Sequence, residues 1–119
     1  MSEHKHIVST FEQEIDILKA RIVEMGGLTE RSVSDAVSAL DKRDIDLAAR
    51  TVMGDARIDA MEADIEEQAI LMLVRRQPLE VDLREVMAAM RIASNLERIG
   101  DLAKNIAKRT AYIGSERQP

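Results

Sequence analysis

Glu97 and Asp101 stand four residues apart, and on a helix that spacing stacks two carboxylates on one face. In the same register the preceding residues are Leu83, Val86, Met90 and Ala93, and the following ones are Gly100 and Lys104. A face that begins as apolar core turns into a carboxylate pair. A second acidic set lies upstream. Asp55, Asp59, Glu62 and Glu66 fall within about 60° of one another at 100° per residue. They flank the apolar positions Ile58, Met61 and Ile65. Like charges four apart destabilise a helix by roughly 0.2–0.5 kcal/mol per pair, so such a stripe calls for a positive partner.

Two readings fit this pattern. One is a solvated acidic face, the usual fate of charges on a helix surface. The other is a metal site, because hard cations take several oxygen ligands and carboxylates four apart on two adjacent helices can surround an ion. Asn105, four beyond Asp101, is placed to add a carbonyl oxygen. Spacing alone does not say which helices face each other, so both readings stay open. Arg98 is one residue off the stripe and is expected to point away from the carboxylates. Gly100 removes side-chain bulk beside them, which admits either a ligand or a close helix.

Little else in the chain could do chemistry. With no cysteine, disulfides, thiolate zinc sites and thiol nucleophiles are excluded together. His4 and His6 are the only histidines, both near the start. Glu-x-x-His, HExxH, a Ser/His/Asp set and a glycine-rich phosphate loop are all missing. The expectation is therefore a binding protein, not an enzyme. A carboxylate-bridged metalloenzyme and a purely structural or oligomerising helical bundle are the alternatives.

The elements that must position the carboxylates are helices. The 119 residues suit one domain. Phe11 and Tyr112 are the only aromatics, so Ile, Leu, Val, Ala and seven Met supply the core. A first helix is expected over about 7–40, on the series Phe11, Ile15, Leu18, Ile22, Met25, Thr29, Val33, Ala36 and Leu40, whose steps of three and four resemble a coiled-coil seam. The series stays in phase across Gly26 and Gly27, which predicts one continuous helix. A second helix, about 44–76, has Asp44 as N-cap and the seam Leu47, Thr51, Gly54, Ile58, Met61, Ile65, Gln68, Met72, with Pro78 stopping it. A third, about 82–113, is expected to start at an Asp82–Glu85 capping box and to end at Gly114 as C-cap, leaving 115–119 as a tail. Its seam reads Ala89, Ile92, Leu96, Ile99, Ala103, Ile106, Ile113. Short connections make neighbours antiparallel. The predicted fold is all-α: an antiparallel three-helix bundle, spectrin-like and up-down-up, with coiled-coil-type packing.

The 22 acidic and 17 basic residues leave a net charge of −5, and the scattered basic residues argue against nucleic acid as partner. No run of 18 uncharged residues is present to span a membrane. The start of the chain lacks the apolar core of a secretory signal, so the expected location is cytoplasmic.

Asn95-Leu96-Glu97-Arg98-Ile99-Gly100-Asp101 resembles the acidic motif of the PhoU family of bacterial phosphate-signalling proteins. Phe11-Glu12, Met25-Gly26-Gly27, the acidic stretch from Asp55 to Glu66, and Arg75-Arg76-Gln77-Pro78 followed by Asp82-Leu83-Arg84 resemble further family elements in the same order. The resemblance implies a cytoplasmic accessory protein. It would link the phosphate ABC transporter ATPase to a sensor histidine kinase and keep phosphate-starvation genes off when phosphate is plentiful. It also implies a divalent or trivalent metal ion (Mg, Mn, Zn or Fe) held by Glu97 and Asp101, with Asp55, Asp59, Glu62 and Glu66 as partners. Family members typically carry two such three-helix repeats, and this chain shows one. A shortened form, a split gene product and a single repeat that pairs as a homodimer or with a second repeat all fit that difference.

Overall fold

A computed structural model describes residues 2–116, with side chains from 10 to 114. It contains three helices, α1 (Ser2–Lys42), α2 (Ile45–Arg76) and α3 (Glu80–Glu116). Each helix packs against both others, and the molecule is a rod of 75 × 18 × 16 Å. The connections are too short to return a chain parallel to itself, so the order is up-down-up. His4 and His6 are among the residues whose side chains lie outside this description.

Local chemistry explains most helix ends. The Asp44 side chain accepts a hydrogen bond from the Leu47 amide at 3.0 Å, satisfying one of the free donors at the start of α2. Gln77 closes α2 in the left-handed conformation (φ 46°, ψ 57°), its amide donating to the Leu73 carbonyl. Pro78 follows and cannot continue the helix. α1 runs unbroken through Gly26 and Gly27, and a Cβ at Gly26 would lie 4.0 Å from Leu96 of α3, which is ordinary packing distance.

Two expected caps of α3 are corrected. The helix begins at Glu80, with the Asp82 amide donating to the Leu79 carbonyl at 3.2 Å. Asp82 therefore sits inside the first turn, where its charge suits the helix dipole, and Glu85 pairs with Lys19 at 3.5 Å instead of reaching back to it. Gly114 is not a C-cap. α3 continues to Glu116, and no glycine has positive φ. A Cβ at Gly114 would come within 2.5 Å of Ile45 Cδ1, so glycine there lets the end of α3 meet the start of α2. Of the expected tail, 115 and 116 are helical and 117–119 lie outside the described residues.

The seams are also rotated from their expected positions. α2 buries Asp55 where Gly54 was expected. α1 buries Ser32 and Ala39, and Leu40 is half exposed. On α3 the buried line is Val86, Ala89, Ala93, Ala103 and Ala107, leaving Ile92, Ile99 and Ile113 exposed. A strict heptad drifts by about 20° per seven residues on a straight helix, and over helices this long the drift carries the seam onto its neighbour.

The core has two parts. Phe11, Ile15, Leu18, Met25, Ile58, Ile65, Met72 and Val86 belong to a cluster of large side chains. In a second cluster the fully buried members are all alanines, Ala36, Ala39, Ala48, Ala103 and Ala107, with Val33, Leu47, Val52 and Ile106 packed half-buried against them. Between them on every helix lies a polar waist: Thr29 and Ser32 on α1, Asp55 on α2, Gly100 on α3. The Thr29 and Ser32 hydroxyls and both Asp55 oxygens are the buried side-chain polar atoms that lack a hydrogen-bond partner among the described residues.

Candidate metal centre

At this waist α2 and α3 approach closely. A Cβ on Gly100 would sit 3.3 Å from Asp55 Oδ1 and 3.3 Å from Ile58 Cγ2, tighter than ordinary contact. The absent side chain thus admits the neighbouring helix, one of the two purposes open at the sequence level, and keeps a methyl off Asp55 Oδ1. One carboxylate oxygen each from Asp55, Asp59 and Asp101 lie within 4.8 Å of one another. Asp55 is 1% exposed, whereas Asp59 is exposed and Asp101 half-buried. The centre therefore opens from a buried floor to solvent.

The remaining acidic residues form its rim. Glu97 is held up to about 7 by its hydrogen bond to Asp101, then by loss of solvent, then by the charges of Asp101, Asp59 and Glu62. A carboxyl group that keeps its proton near neutrality can donate that bond. Burial raises Glu62, aided by its hydrogen bond to Glu66 and by the charges of Glu66 and Asp59. Asp55 is raised by burial and by the charges of Asp59 and Asp101, with Lys104 opposing. Six acidic side chains from two helices thus sense one another in a continuous patch. Glu66 enters it through Glu62 alone. Arg98 and Asn105 are exposed, so Arg98 points outward and Asn105 is not drawn into the buried floor.

Lys104 is the residue that spacing did not single out as a partner. Its Nζ stands 3.5 Å from Asp55 Oδ2, with the two side chains 30% and 1% exposed. It supplies the positive charge that the acidic stripe of α2 demanded. Its place in the register of Glu97 and Gly100 was visible, but not which carboxylate it would face.

The donor set suits a hard cation. Carboxylate oxygens from Asp55, Asp59 and Asp101 offer the all-oxygen ligation preferred by Mg²⁺ and Mn²⁺, and Fe and Zn also accept carboxylates. The buried floor is the stronger sign. Asp55 has one ammonium at 3.5 Å and no hydrogen bond among the described residues, and a cation held there would offset the cost of burying its charge.

Residues 22–110 match the family model described as the PhoU domain. The chain belongs to the PhoU family. That stretch contains all six acidic residues and Lys104. Over 116 residues the chain is 46% identical to the phosphate-specific transport system accessory protein PhoU homolog of Rhizobium meliloti (strain 1021), covering 98% of this chain and 49% of that protein. It is 43% identical over 115 residues to the homolog of Caulobacter vibrioides (strain NA1000 / CB15N), covering 97% of this chain and 50% of that one. The Escherichia coli (strain K12) accessory protein PhoU is 38% identical over 105 residues, 88% of this chain and 44% of its own length. The chain spans about half the length of the curated relatives it matches. Among the described residues, no helix is long and apolar enough to cross a membrane.

Proposed function

We propose that this chain is a metal-binding regulatory module of phosphate transport, acting by association and not by catalysis. The observation that carries the metal part is the buried Asp55 carboxylate, unpartnered through hydrogen bonds and grouped with Asp59 and Asp101. Asp55, Asp59 and Asp101 would hold the ion, with Glu97, Glu62 and Glu66 at its rim. The bound cation would supply charge neutralisation between α2 and α3, tying the two helices together at the waist.

The transport part is supported by relatives named as accessory proteins of the phosphate-specific transport system. In this reading the module works on the cytoplasmic side and relays the state of the transporter ATPase to a sensor histidine kinase. Pairing with a second repeat or a second copy is supported by Ile92, Ile99, Leu102 and Ile113, each at least 42% exposed and within about 80° on α3.

Thermal unfolding with and without added Mg²⁺, Mn²⁺, Zn²⁺ or Fe²⁺ tests the metal part. A ligand that binds only the native state must raise the melting temperature. An unchanged value with every ion eliminates the metal. Pull-down with the transporter ATPase and with the kinase cytoplasmic domain, on a protein containing both repeats, tests the relay, and binding to neither eliminates it.

A further inference from the structure

The Asp55–Lys104 pair is oddly built for a structural salt bridge. A buried ion pair stabilises only when good geometry and further hydrogen bonds compensate for lost solvation. Here the separation is 3.5 Å, and neither Asp55 oxygen has a hydrogen bond among the described residues. Lys104 also falls short as a counter-charge. One ammonium faces three carboxylates whose oxygens lie within 4.8 Å of one another, and no other cation of the described residues is in ion-pair range of those three. The lysine stem is flexible and 30% exposed, so the ammonium can swing into water while its methylenes stay on the protein.

The geometry points to Lys104 as a displaceable internal cation: it holds Asp55 when the centre is empty and is expelled when a metal ion binds. The inference rests on the metal reading above and adds a competitor to it. A divalent ion on Asp55 and an ammonium 3.5 Å from Asp55 Oδ2 repel, and the mobile partner yields. Metal occupancy would then be reported outside the core as a lysine that moves from the α2–α3 groove to the surface. The same competition would set the affinity, because the ion must displace a charge already in place.

The test is Lys104→Met, which removes the ammonium and keeps most of the stem. Mn²⁺ binding is measured by isothermal titration calorimetry, and melting temperature is measured without metal and in saturating Mn²⁺. Lys104→Met should bind Mn²⁺ at least tenfold more tightly than the wild type. Without metal it should melt several degrees lower, since Asp55 loses its only counter-charge. Lys104→Arg should keep the metal-free melting temperature. Asp55→Asn with Lys104→Met should recover the metal-free melting temperature without the tenfold gain. If Lys104→Met does not fold alone, refolding in Mn²⁺ should restore its helical circular dichroism, and no recovery overturns the proposal. Equal or weaker Mn²⁺ binding by Lys104→Met, with binding by the wild type, overturns the proposal and leaves the metal reading intact. An unchanged metal-free melting temperature in Lys104→Met also overturns it. Binding by neither protein removes the metal reading and this proposal together. Binding by Lys104→Met alone supports the proposal, showing a lysine that outcompetes the ion.

Discussion

Of the ion pairs that cross between helices of this rod, two are opposites. Arg76, in the last turn of α2, donates from Nη2 and Nε to Glu14 Oε1 at 2.6 and 3.2 Å. Both of those side chains are 28% exposed. The pair has good geometry and enough water to satisfy its remaining lone pairs and protons. Lys104 and Asp55 have the reverse: an acid at 1% exposure, a separation of 3.5 Å and no hydrogen bond to the carboxylate. Glu14 and Arg76 sit over the large-residue end of the core, and their removal would leave a well-packed bundle beneath. Asp55 sits in the waist between that end and the alanine end, where nothing apolar replaces it. The first pair is an addition to a finished interface. The second leaves an interface unfinished, which is what a site for a further positive charge requires.

The largest effect expected from this contrast is at Asp55. Asp55→Asn removes the buried charge, so the metal-free protein should be as stable as the wild type or more so. A metal at a hundred times its Kd should stabilise the wild type by about 2.7 kcal/mol, and Asp55→Asn should lose nearly all of that gain. Urea unfolding followed by circular dichroism, with and without Mn²⁺, measures both. A strongly destabilised metal-free Asp55→Asn would reverse the comparison, making the buried pair structural.

Acidity gives the next largest effect. Glu97 is raised from 4.5 to about 7 in the folded protein, and Glu62 and Asp55 are raised as well. A carboxyl raised on folding binds its proton more tightly in the native state. Its stabilising contribution is complete below the unfolded value, near 4.5 for Glu97, and is lost as pH rises through about 7. Metal-free stability should therefore increase as pH falls from 8 to 5. At about 1.4 kcal/mol per pKa unit, discounted for partial exposure, the gain from Glu97 is on the order of 2 kcal/mol. Glu97→Gln should flatten most of the profile, and a wild-type urea midpoint that does not move over this range would contradict the site's electrostatics. Metal should reverse the slope, since an ion competes with the shared proton.

How much of this was open to sequence reasoning follows from what is local. Helix count, the Asp44 cap, continuity through Gly26–Gly27 and the two acidic stripes depend on neighbours a few residues away, and periodicity reads them. The rotation of one helix against another is not local. Gly54 and Asp55 are adjacent, and one step of 100° decides which is in the core. The same rotation turned Ile92 and Ile99 outward and aimed Lys104 at Asp55. Gly114 misled because a glycine near a helix end has two physical uses, a left-handed cap and a close approach. Only the position of Ile45 distinguishes them.

On the other side of the comparison, Glu14→Gln should cost about 1 kcal/mol. It loses a charge-assisted bond that is partly screened by water, and it exposes no unsatisfied buried group. The cost should shrink in 1 M salt, where the screening length is about 3 Å. Metal should not alter it, because Arg76 lies in the last turn of α2, far along the helix from Asp55, and Glu14 meets it there from α1. A Glu14→Gln protein whose Mn²⁺-induced stabilisation changed would show that the two pairs are coupled along the helix.

Gly100→Ala tests the waist with the smallest net effect. Alanine gains about 1 kcal/mol of helix propensity over glycine. Against this, the new methyl would lie 3.3 Å from Asp55 Oδ1 and from Ile58 Cγ2, and overpacking of this kind costs about 1–3 kcal/mol. Both neighbours are at most 2% exposed, so neither can turn into solvent, and the balance should be a loss of about 1 kcal/mol without metal. The metal-dependent gain should fall further, because the methyl crowds Asp55 Oδ1. Stabilisation by Gly100→Ala with undiminished Mn²⁺ binding would mean that the glycine serves helix approach alone, and that Asp55 is reached from another side.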